Sequence, residues 1–100
     1  MKHTDIISEA VKVLGPRGKS YGDVRGSHDV IAQLATLLTG KPMSSRDIAL
    51  IMVAVKLSRA STSPDHVDNW VDAINYIAFA GEFSTEVETV IKKKEEANDF

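Results

Sequence analysis

Residues 65–76, DHVDNWVDAINY, set Asp65, Asp68 and Asp72 along one line beside Trp70, the chain's only tryptophan. At about 100° per residue, Asp65, Asp68, Asn69, Asp72 and Tyr76 share one arc of a helix, and Val67, Trp70, Ile74, Ile77 and Ala78 fall opposite. Phe79 carries the acidic arc on into apolar territory. An exposed face does not normally end that way, so at least part of this arc should be covered. A covered carboxylate needs a cation, because an unpaired charge away from water is costly. Lys56 and Arg59 supply it: they follow the apolar run IALIMVAV (48–55) and share a face with Met52. The short link from Ala60 to Pro64 turns the two helices antiparallel and sets Lys56 and Arg59 opposite Asp65, Asp68 and Asp72. Two chemistries fit that constellation. One is an internal salt-bridge network that fixes the register of two helices. The other is a site in which Asp68 and Asp72 hold Mg²⁺ as catalytic carboxylates, while Lys56 and Arg59 hold phosphate. Magnesium suits one or two carboxylates completed by water and phosphate oxygens.

Five helices and no strand are expected to carry these residues. Thr4 caps a first helix over about 5–14, with Ile6, Ile7, Ala10, Val11 and Leu14 as its apolar stripe, and Gly15 with Pro16 reads as its stop. Residues 15–26, GPRGKSYGDVRG, hold four glycines and no apolar period, so they read as the one long loop. Ser27 caps a second helix to about Thr39 that should bury Val30, Ile31, Leu34, Leu37 and Leu38, with Gly40 at its end. SSRD at 44–47 has the spacing of a capping box, with Asp47 in place of the usual glutamate. It opens a third helix reaching about Ala60. The run IALIMVAV is short and branched enough for a buried strand, but the cap and the continuation KLSR favour a central helix covered on all sides. Ser63 caps, and Pro64 opens, a fourth helix to about Gly81. STEVE opens a fifth over about 85–97, whose KKKEE end is a solvated charged face. The expected architecture is a single all-α bundle spanning residues 1–100.

Composition narrows the partners. With 43% hydrophobic and 26% charged residues the chain is an ordinary globular one rather than a disordered one. A net charge of −2 offers duplex nucleic acid no global attraction. The absence of cysteine removes disulfides and thiolate metal sites, and His3, His28 and His66 lack zinc-ligand spacing. The N-terminal stretch is broken by charge and does not read as a signal peptide; the longest apolar run, eight residues, cannot span a bilayer. A soluble, cytoplasmic protein is expected.

GPRGKS invites a phosphate-loop reading, but the Walker pattern needs four residues between its glycines and a preceding strand. A surface loop is the simpler reading. The functional alternative is a basic lid in which Arg17, Lys19 and Arg25 approach an anion and Tyr21 stacks on a base. His66 reads as a solvent-facing or salt-bridged histidine, Trp70 as core or subunit interface, and His28 receives no role.

The segment KLSRASTSPDHVDNWVDAINYIAFAGE resembles a family of small phage and prophage proteins of unassigned function. Their pattern is a Lys-x-x-Arg helix end followed by a His/Asn-x-Asp-Asn-x-x-Asp helix running into an aromatic. RGKSYGD and DIALIMVAVK also fit, so the likeness covers most of residues 8–82. That family in turn resembles, more distantly, the all-α MazG-type nucleoside triphosphate pyrophosphatases. The resemblance implies a MazG-like bundle, a nucleotide or phosphate ligand, Mg²⁺ held by an ExxE pair and an ExxD pair, cleavage between the α and β phosphates, and a homo-oligomer, dimer or tetramer. Asp72 matches the aspartate of ExxD, Asn69 falls where its glutamate should be, and Asp68 sits one place earlier. The window 41–56 holds no glutamate and only Asp47 as an acid, so the ExxE half is missing. Three functions follow: a Mg²⁺-dependent pyrophosphohydrolase with Asn69 orienting ligand or water, a nucleotide binder without catalysis, and an oligomeric interaction protein that keeps the fold alone.

Overall fold

A computed structural model describes the backbone of residues 1–20 and 24–97, and the side chains of residues 1–14 and 24–86. The described residues form four helices and no strand: α1 (His3–Ser20), α2 (Val24–Thr39), α3 (Ser45–Thr62) and α4 (Val67–Ala97).

The best-specified boundary is the start of α3. Ser44 adopts an extended backbone and accepts the Asp47 N–H at 3.2 Å, while the Asp47 carboxylate accepts the Ser44 N–H at 2.9 Å. Both bonds of the capping box are therefore made, and IALIMVAV is helical, as the cap requires. The preceding turn is held by Thr36, whose hydroxyl donates to the Ala32 carbonyl at 2.8 Å and accepts the Met43 N–H at 3.0 Å. Gly40 ends α2 in the left-handed region at φ 71°, where a side chain would strain the backbone.

Three expected boundaries are corrected. Gly15 and Pro16 do not stop α1, which continues to Ser20, so most of the expected loop 15–26 is helical. Proline forfeits its own N–H bond, but a helix already nucleated over three turns propagates past one gap more cheaply than it restarts. Pro64 does not open α4 either. It lies inside a turn closed by the His66 N–H on the Ser63 carbonyl at 3.1 Å, and α4 begins at Val67; the fixed φ of proline suits the second position of such a turn equally well. Finally, the expected fourth and fifth helices are one. Ser84 and Thr85 donate back to the Ala80 and Gly81 carbonyls at 2.8 and 3.0 Å instead of capping a new helix.

Ala49 clusters with Ala80 and Phe83, and seven residues further along α3 Lys56 meets Asp72, so α3 and α4 run antiparallel, as the short link implies. α1 crosses α4, where the buried Asn75 amide donates to the Ala10 carbonyl at 3.1 Å. α2 packs against α3 and lays His28 among Tyr76, Phe79 and Phe83 of α4. Among the described residues the buried apolar positions are mostly small, Ala10, Ala32, Ala49, Ala60, Ala73 and Ala80, joined by Ile48, Val71 and Phe83.

That packing overturns the expected core. Val30, Ile31, Leu34, Leu37 and Leu38 of α2 face outward, and His28 and Ala32 face in. On α3, Leu50, Ile51 and Leu57 remain exposed, so the helix is covered on one side rather than all round. Ile7 and Val11 of the expected α1 stripe, and Trp70 and Ile77 of α4, are also exposed. Alanines permit the closer approach of helix axes, and the larger side chains are left outside it.

Ser44→Ala should cost about 1 kcal/mol, a fall in Tm of roughly 4–8 °C in a domain of this size. The Ser44 backbone N–H holds the Asp47 carboxyl below its ordinary range, with the Ser44 hydroxyl second. Asp47 therefore stabilises the fold above the unfolded value of about 4, and that contribution is lost as pH falls through the lower folded value. Thermal melts followed by circular dichroism from pH 2.5 to 7 should show the wild-type advantage at neutral pH and its shrinkage at the acid end.

Candidate functional site

The inward face of α4 reads Asn69, Asp72, Tyr76, Phe79 and Phe83, one turn apart in succession. Asn69 is buried, Asp72 and Tyr76 are partly so, and Phe79 and Phe83 stack with ring centroids 6.2 Å apart. Opposite Asp72 stands Lys56, just past the apolar run of α3. Its ammonium lies 3.0 Å from the Asp72 carboxylate, with the two side chains 14% and 15% exposed. A four-carbon stem lets Lys56 lie along apolar neighbours and deliver its charge at the seam. Shielding at this level strengthens the Coulomb attraction and makes loss of either partner expensive.

The other sequence-selected residues do not join the pair. The Asp68 side chain is 74% exposed and stands 3.9 Å from the His66 imidazole, itself 63% exposed. An ion pair so solvated contributes little. Asp65 precedes α4 and is exposed, as is Arg59 at the far end of α3. The aspartate ladder thus splits, with Asp72 inside and Asp65 and Asp68 at the solvent edge near the helix start, where negative charge suits the dipole. Among the described residues, no three His, Asp or Glu side chains come together to share a metal ion. As placed, Asp72 faces the Lys56 ammonium and Asp68 faces the His66 imidazole.

Of the basic lid, Arg25 pairs with Glu86 and lies 5.4 Å from the Phe83 ring centroid, so it is tied to α4. The side chains of Arg17, Lys19 and Tyr21 lie outside the described residues. Trp70 lies at the surface with its indole N–H on the Pro64 carbonyl at 2.9 Å, bracing the turn before α4.

Sequence reasoning missed two residues. His28 is only 5% exposed; its Nδ1 lies 2.9 Å from the Val24 carbonyl and its Nε2 has no hydrogen-bond partner among the described residues. Asn75 is 8% exposed and pins α1 to α4. A signal for His28 existed in the spacing His28, Ala32, Thr36, a small and polar face. It lay opposite a much stronger apolar stripe.

The fold and this pair define an all-α protein with one shielded charge pair in a helix seam. Residues 5–84 match the family described as a domain of unknown function, DUF6378, and the chain belongs to that family. It is similar to the Gene 55 protein of Mycobacterium phage L5, 30% identical over 73 residues, covering 71% of this chain and 47% of that protein. The Gene 55 protein of Mycobacterium phage D29 is 32% identical over 72 residues, covering 71% and 48%. The chain thus matches about half the length of these curated relatives. No solved structure matches it. Among the described residues no helix is long and apolar enough to cross a membrane.

Asp72→Leu and Lys56→Met should each destabilise by about 2–4 kcal/mol, since each strands a shielded charge. Lys56→Met combined with Asp72→Leu should cost clearly less than the sum of the two single changes. Urea denaturation of the four proteins measures the coupling; additive effects would show that the two groups do not interact.

Proposed function

We propose that the protein is a nucleotide-phosphate binder of phage or prophage origin, built on a MazG-like helical frame, that holds its ligand at the α3–α4 seam without cleaving it. The observation that carries this reading is the Lys56–Asp72 pair. The Lys56 ammonium has three N–H donors, so it can donate to a phosphate oxygen while still held by Asp72, and the cation that accompanies the phosphate offsets the added negative charge. Asn69, buried one turn before Asp72, supplies an amide to orient the ligand, and Arg59 stands at the solvent edge for the outer phosphates. Pyrophosphate cleavage of the MazG kind needs several carboxylates gathered on Mg²⁺ to activate water. Here Asp72 answers Lys56 and Asp68 faces His66, which favours holding over cleaving. Mg²⁺ then enters as the companion of the triphosphate, with Asp68 and Asp72 as its candidate carboxylates. The setting on this reading is the cytoplasm of the bacterial host.

Thermal shift with nucleoside mono-, di- and triphosphates, with and without Mg²⁺, tests the reading alongside an assay for released pyrophosphate. A triphosphate present at about 100 times its Kd should stabilise by about 2.7 kcal/mol, and Lys56→Gln should abolish the shift with no product formed by either protein. Pyrophosphate release abolished by Asp72→Asn would make the protein an enzyme instead. Equal melting temperatures across the whole panel at millimolar concentration would remove the nucleotide reading.

A further inference from the structure

α2 is built inside out. Val30, Ile31, Leu34, Leu37 and Leu38 are 56%, 43%, 53%, 80% and 85% exposed, while the same helix buries His28 and Ala32 against its own chain. The outward residues recur at the a, d and e positions of a heptad, the spacing at which one helix packs along another. At the α2–α3 turn the stripe meets two open grooves that share Met43. Leu37 and Met43 line an open groove of about 510 Å³, and Met43 lines a second, of about 520 Å³, with Leu50 and Ile51 of α3.

We infer that this tract is the docking surface for a second copy of the chain, α2 lying on α2 about a two-fold axis near Leu34. Three observations favour a copy over other occupants. The first is area. The five α2 side chains expose on the order of 500 Å², at the upper end of the largest apolar patch on an ordinary monomer. With Leu50 and Ile51 the tract approaches the roughly 800 Å² that each partner gives to a stable interface. The second is charge. From Gly26 to Thr39 α2 carries no lysine or arginine, and its one acid, Asp29, accepts a hydrogen bond from Ser45. A helix that lies on a lipid surface is rich in Lys and Arg on its polar face. The polar face of α2 carries His28, Asp29, Gln33 and Thr36; its basic neighbours are Arg25, paired with Glu86, and Lys41 beyond its end. The apolar stripe itself carries no charge to repel its twin. The third is the interior the chain makes for itself. Among the described residues the buried apolar side chains are six alanines with Ile48, Val71 and Phe83, so none of the five large α2 side chains belongs to the core of its own chain. A self-complementary patch on a neutral stripe is what a two-fold interface demands.

The inference goes beyond the nucleotide reading and stands or falls separately from it. Pairing would press α2 onto α4, where His28 meets Tyr76, one turn from Asp72. Sedimentation velocity at micromolar concentration should give a dimer. Leu34→Glu with Leu38→Glu should give a monomer of unchanged helical content, because both side chains are exposed and neither belongs to the core of its own chain. Since the chain has no cysteine, Leu34→Cys places one thiol near the proposed axis and should cross-link to a dimer on mild oxidation, whereas Val11→Cys on α1 should not. A wild-type monomer, a dimer indifferent to the glutamates, or cross-linking at Val11→Cys but not at Leu34→Cys would each overturn the assignment.

Discussion

A lysine ammonium and an aspartate carboxylate, 3.0 Å apart and largely shielded between two antiparallel helices, admit one alignment of α3 on α4. A slip of one residue along either helix would separate the charges and leave each without its counter-charge in a poorly hydrated seam. The cost of that error is larger than the net worth of the pair itself, which is why a shielded ion pair specifies register better than it stabilises. With Lys56 on Asp72, Ala49 falls on Ala80 and Phe83. Asn75 then faces the other side of α4 and can reach the Ala10 carbonyl, which ties α1 to the same frame. The position of Asn69, Tyr76 and Phe79 on the inward face follows from this one alignment.

The seam is narrow because it is lined with alanine, and that choice decides what happens to the large side chains. Close approach of α3 and α4 leaves no room for Leu50, Ile51 or Leu57 on the same side, so they stand outside. α2 meets the seam through His28 and Ala32 and turns its leucines away. The protein therefore has two kinds of interior. One is the tight, partly polar seam within the chain, and the other is an apolar surface that acquires an interior only when something covers it.

Much of the frame was legible in the sequence. The capping box at Ser44 and Asp47, the helical state of IALIMVAV, the antiparallel turn and the meeting of Lys56 with Asp72 all follow from spacing and charge. What failed did so for identifiable reasons. Gly15, Pro16, Pro64 and Gly81 look like punctuation in the sequence, yet a nucleated helix absorbs one weak residue, and proline fits a turn as well as a first helical position. The leucine stripe of α2 looks like the buried one, because a periodic apolar face says that it will be covered but not by what. The same ambiguity hid His28, whose small-residue face carries less hydrophobic signal. Asp68 was grouped with Asp72 by angle alone; the angle was right, but Asp68 sits at the exposed start of α4, beside His66.

Lys56 is held by Asp72 inside the seam, and lysine-ammonium NMR tests that pairing directly. In protein labelled with nitrogen-15, Lys56 should give an ammonium signal protected from exchange with water, unlike the solvated lysines, and that signal should vanish in Asp72→Asn. An Asp72→Asn spectrum identical to wild type, or no protected lysine ammonium at all, would contradict the pairing and with it the register and the site built upon it.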